Sequence, residues 1–81
     1  MQQGNKMSDD LTAEMKLLAL FNLTSMQEGI KVHHSAGEAA VAAAQRLFDK
    51  GLVSQADGGY LTDEGVEAAE HLQAVLRILA S

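Results

Sequence analysis

Apolar side chains recur every three or four positions along most of the chain, with one stretch where the period shortens to two. Leu11, Met15, Leu18 and Phe21, flanked by Leu17, Leu20 and Leu23, follow Ser8-Asp9-Asp10, a capping residue with acids suited to the positive end of a helix. This predicts a first helix from about Asp10 to Leu23. Ahead of it, residues 1–8 read as a disordered polar lead, which leaves 9–81 as one domain. Residues 24–34 carry conflicting signals. Ile30-Lys31-Val32 alternates like a strand, whereas Ser25-Met26-Gln27-Glu28 has the form of a capping box. A short helix is favoured, with Gly29 as its weak point and the strand as the competing reading.

Ser35-Ala36-Gly37-Glu38 repeats the capping pattern and opens an Ala-rich helix to Lys50, with Ala40, Val41, Ala44, Leu47 and Phe48 on its inner face and Gly51 as its stop. Asp57-Gly58, between Leu52-Val53-Ser54-Gln55 and Tyr60-Leu61-Thr62, predicts a hairpin closed by a type I′ turn. Thr62 then caps a last helix, with Asp63 and Glu64 in its first turn, that runs to about Ala80. Its apolar positions form two adjoining faces. Leu72, Val75, Leu76, Ile78 and Leu79 are more than one small core needs, and they are assigned to a homodimer interface.

Helix, short helix, helix, ribbon and helix give a mainly α fold with a short β-hairpin, the layout of a winged helix-turn-helix. Two segments sharpen this: Arg46-Leu47-Phe48-Asp49-Lys50-Gly51-Leu52-Val53 and Asp57-Gly58-Gly59-Tyr60-Leu61-Thr62-Asp63-Glu64-Gly65. They resemble the bacterial regulator pattern in which a recognition helix ends in Lys-Gly-Leu-Val and Leu-Thr-x-x-Gly opens the next helix. The resemblance implies a DNA-binding transcriptional regulator, with Lys31, His33, His34, Gln45, Arg46 and Lys50 as its nucleic-acid contacts. Leu18-Ala19-Leu20-Phe21-Asn22-Leu23 and Gln27-Glu28-Gly29-Ile30-Lys31-Val32-His33 also resemble a family of small uncharacterised bacterial proteins, which implies no activity.

Charge pulls the other way. Eleven Asp and Glu against six Lys and Arg give a net charge of −5, which disfavours a polyanionic partner. The outward face of the expected recognition helix offers Glu38, Ala42, Ala43, Gln45, Arg46 and Asp49, of which only Gln45 and Arg46 suit base edges. The alternative is a protein-interaction module that keeps the winged-helix frame, its smooth Ala36, Ala39, Ala40, Ala42, Ala43 and Ala44 surface suiting another helix.

No nucleophile elbow, phosphate loop or dinucleotide fingerprint occurs, so a non-enzymatic protein without cofactor is expected. His33, His34, Glu67 and His71 lack metal-ligand spacing, and no metal site is assigned. Glu67 and His71 read as an exposed helix pair, Met15 and Met26 as core fillers, and Tyr60 as a wing residue packed on the third helix. With 47% hydrophobic and 21% charged residues the chain should fold, and its small core makes oligomerisation an expectation. No cysteine, signal-peptide core or membrane-length apolar run is present, which points to the cytoplasm and away from a membrane.

Overall fold

A computed structural model describes residues 2–25 and 28–81, with side chains from residue 9 onward. Three helices and three short strands follow in the order α1 (Gln2–Leu20), β1 (Ile30–Lys31), a single 3₁₀ turn (His34–Ala36), α2 (Glu38–Asp49), β2 (Val53–Gln55), β3 (Gly58–Leu61) and α3 (Asp63–Ala80). The strands form one antiparallel sheet in the order β1-β3-β2. This arrangement is winged-helix-like, mainly helical with a small sheet.

α1 takes in the residues read as a polar lead and ends at Leu20, short of Leu23. Its end is set by two side chains. Asn22 Oδ1 accepts from the Thr24 N–H at 2.9 Å and from the Thr24 hydroxyl at 2.6 Å, which turns the chain away from the helix axis. Gln73 Nε2, on α3, donates to the carbonyls of Leu18 and Phe21 at 3.2 and 2.9 Å, satisfying acceptors that the helix end leaves open.

The expected short helix over 24–34 is replaced by a turn and β1. Met26 and Gln27 lie outside the described residues, as does Met26 as a core filler. The Glu28 N–H donates to the Ser25 carbonyl at 3.2 Å. The strand wins because of what it meets. Ile30 pairs with Gly59 and Lys31 with Gly58, and a Cβ on Gly58 would sit 2.6 Å from the Ile30 carbonyl oxygen. The two glycines thus let β1 approach β3, and the Val32 N–H extends the ladder to the Asp57 carbonyl at 2.8 Å.

The ribbon occurs where expected, with a different turn. Asp57 does not take positive φ; Gly58 and Gly59 do, at 122° and 77°, and the register slips by one residue between Val53 and Gln55. Ser54 Oγ accepts from the Tyr60 N–H at 2.9 Å beside this bulge. Tyr60 lies half-exposed near Gly29 on the sheet, where packing on the recognition helix had been expected.

Gly37, not Ser35, precedes α2, and no side chain caps that end. Its other end follows the sequence: Gly51 adopts φ 79°, the Gly51 N–H donates to the Phe48 carbonyl and the Leu52 N–H to the Leu47 carbonyl, both at 2.9 Å. Thr62 joins this end to α3. Its Oγ1 accepts from the Gly65 N–H at 3.1 Å while its hydroxyl donates to the Gly51 carbonyl at 2.6 Å. A Cβ on Gly65 would collide with the Leu52 carbonyl oxygen, so glycine sets the distance between α3 and the chain leaving α2.

Leu17, Leu18, Phe21, Ala43, Ala44, Leu47 and Val53 make the core, with Ile30, Val32, Leu61, Ala68 and Leu72 packed against it. Ala43 and Ala44 are buried, so part of the alanine surface brings α1 against α2 within the chain. Met15 and Phe48, both read as core, are exposed instead.

Candidate functional site

In a winged helix the second helix of the helix-turn-helix unit and the ribbon frame the recognition face. Here that place is held by α2 and the β2–β3 ribbon. Between them and β1 runs a groove of about 1000 Å³ whose lining includes Lys31, His33, His34, Glu38, Gln45 and Asp57, with Val32, Val41, Ala42 and Gln55. The chain after β1 supplies the two histidines, and Gly37 starts α2 so that Glu38, Ala42 and Gln45 fall on one side of the helix.

Four of the six residues expected to contact nucleic acid, Lys31, His33, His34 and Gln45, therefore share this groove. Gln45 is partly committed, since its Nε2 donates to Asp49 Oδ1 at 3.0 Å. Arg46 and Lys50 do not join them. Both turn toward α1 and meet Glu14. Arg46 Nε donates to Glu14 Oε2 at 2.7 Å, Arg46 Nη2 to the Asp10 carbonyl at 3.2 Å, and Lys50 Nζ to Glu14 Oε1. Asp10 Oδ1 lies 3.9 Å from Arg46 Nη2. Arg46 and Lys50, expected among the nucleic-acid contacts, thus form a clasp between α1 and α2 and lie outside the groove lining.

Glu14 is the residue that sequence reasoning missed. It is the buried charged side chain among the described residues, only 6% exposed. Burial raises its pKa, but the hydrogen bonds from Lys50 and Arg46, and their positive charges, outweigh this and hold the carboxyl below the usual glutamate value. A signal was present in the chain. Glu14, Leu17, Leu18 and Phe21 fall on one helical stripe, and a carboxylate on an apolar stripe requires a cation from a neighbouring element.

With Arg46 and Lys50 turned toward α1, Lys31 is the only Lys or Arg among the described residues that lines the groove, alongside Glu38 and Asp57. Among the described residues no three His, Cys, Asp or Glu side chains come together as a metal site, and Glu67 and His71 are exposed on α3. No helix among the described residues is long and apolar enough to cross a membrane. Of the expected dimer residues, Leu72 is half-buried against the core, whereas Val75, Leu76, Ile78 and Leu79 are exposed.

A family model described as a family of unknown function, DUF5669, matches residues 5–80, and the chain belongs to that family. No curated protein and no solved structure matches it.

Proposed function

We propose that the chain is a non-catalytic, cytoplasmic protein-interaction module that uses the winged-helix frame without DNA as its main ligand. One observation carries this reading: Glu14 engages both Arg46 and Lys50, so these two cations are turned toward α1 and held in ion pairs within the fold. What remains on the outer side of α2 is Glu38, Ala42, Gln45 and Asp49, two carboxylates with a small and an amide side chain between them. Phosphate binding rests on converging cations, and a face of this composition repels a polyanion. A polypeptide segment suits it better. Val41 and Ala42 offer an apolar floor, Gln45 and Gln55 offer amides, and Lys31 opposite Glu38 and Asp57 accepts side chains of either sign.

A second reading, DNA binding by a homodimer, is favoured by the gathering of Lys31, His33, His34 and Gln45 in one groove. Photo-crosslinking separates the two. Benzoylphenylalanine placed at exposed Ala42, in cells that make the protein, is expected to give protease-sensitive, nuclease-resistant adducts that vanish in a Val41→Glu background. Nuclease-sensitive adducts from the same position would overturn the reading in favour of DNA.

A further inference from the structure

The last two turns of α3 extend past the core. Gly65 and Ala69 are its buried residues, and the helix continues to Ala80 with Val75 and Leu76 about half exposed and Ile78 and Leu79 exposed at 72% and 76%. Gln73 ties this region to the end of α1 through the Leu18 and Phe21 carbonyls, which brings Leu20, 67% exposed, to the same end of the molecule. Leaving five large aliphatic side chains in water is costly for a chain whose core is small.

We infer that this end is the contact surface for a second copy of the chain, joined to the first as a symmetric pair through the C-terminal half of α3. Area gives the first argument. At roughly 150 Å² for each fully exposed aliphatic side chain, these five present about 450 Å² per chain, or about 900 Å² per pair. That approaches the ~1,200 Å² at which specific interfaces begin before any flanking atom is counted. Charge gives the second. A chain of net charge −5 opposes its own copy unless the contact excludes carboxylates, and between Gln73 and Ser81 there is none. Arg77, the one charged side chain in that segment, is turned by helical spacing to the far side from Val75 and Leu79. In a two-fold pair each residue of the patch meets the same patch, so an uncharged apolar surface is self-complementary.

The surface is separate from the groove, and the inference stands whether the groove takes protein or DNA. Analytical ultracentrifugation with circular dichroism tests it. Wild-type protein at tens of micromolar is expected to sediment at twice 8.6 kDa, and Leu79→Glu and Ile78→Glu as monomers with helicity retained. Both positions are too exposed to disturb the core, so loss of the dimer would not reflect unfolding. A wild-type monomer up to millimolar concentration overturns the proposal and assigns the patch to a different partner. A dimer that survives both substitutions overturns it as well, and moves the interface elsewhere.

Discussion

Replacing Glu14 with Gln removes the charge that holds α1 to α2 while keeping the side chain's shape. The wild-type carboxylate accepts from Arg46 Nε at 2.7 Å and from Lys50 Nζ, and both donors are cationic. A hydrogen bond to a charged group contributes about 1.5–3 kcal/mol when shielded from water. The Arg46 side chain, 30% exposed, qualifies for most of that value, whereas Lys50, 49% exposed, contributes at most about 1 kcal/mol after solvent screening. Glutamine retains a weaker neutral acceptor, so the net loss comes to about 2 kcal/mol. For a domain of this size that corresponds to a fall in Tm of roughly 10 °C. Thermal and urea unfolding followed by circular dichroism at pH 7 and equal protein concentration measures it. The coupling is isolated by a double-mutant cycle with Arg46→Met. A loss under about 0.5 kcal/mol, or additive effects in the cycle, would refute the clasp as a stabilising contact.

The same carboxylate gives stability a pH dependence. Its folded pKa lies below the ordinary value of 4.5, so its contribution is complete above that pH and disappears as pH falls through the lower folded value. The Tm gap between wild type and Glu14→Gln should accordingly narrow once the pH falls below 4.5; a gap that stays constant on acidification would mean that the pairing does not depend on the charge. Gly65→Ala should destabilise by about 2 kcal/mol or more in urea unfolding, because the new Cβ strikes the Leu52 backbone and outweighs the ~1 kcal/mol gain in helix propensity. A stabilised Gly65→Ala protein would contradict the described junction between α2 and α3.

Much of the frame was legible because local rules and tertiary contacts agree there. Lys50-Gly51-Leu52-Val53 and Leu61-Thr62-Asp63-Glu64-Gly65 mark the exit of α2 and the start of α3, and each element of the pattern has a structural task. Gly51 takes the positive φ, Leu52 returns its N–H to Leu47, Thr62 caps α3 and bonds Gly51, and Gly65 admits the Leu52 carbonyl. The regulator-like motif thus specifies a junction, and by itself carries no information about a ligand. β1 was harder to read because its strand character comes from a partner about 28 residues away. Gly58 and Gly59 look like turn residues locally, and their second task, admitting Ile30 and Lys31, is visible only once the strands meet.

The site was legible in part for the same reason. Lys31, His33, His34 and Gln45, which the sequence groups together, line one groove. The pairing of Arg46 and Lys50 with Glu14 was not legible, because helical periodicity shows which way a side chain leaves its own helix, not which carboxylate waits on the next one. The apolar end of α3 was anticipated, since adjoining hydrophobic faces announce themselves by spacing alone. Leu72 belongs instead to the core, a distinction that depends on how far α3 overlaps α1.

The central claim, that the winged-helix face lacks the free cations for phosphate binding, is tested most directly by fluorescence anisotropy of wild-type protein on mixed genomic duplexes across a salt series. With Lys31 as the one Lys or Arg among the described residues lining the groove, the account predicts binding weaker than about 10 μM even at low salt, with a log–log salt slope no steeper than about −2 for a pair of chains. Sub-micromolar affinity with a slope of about −4 or steeper would contradict it, because so many released counterions require more phosphate-contacting cations than Lys31 supplies.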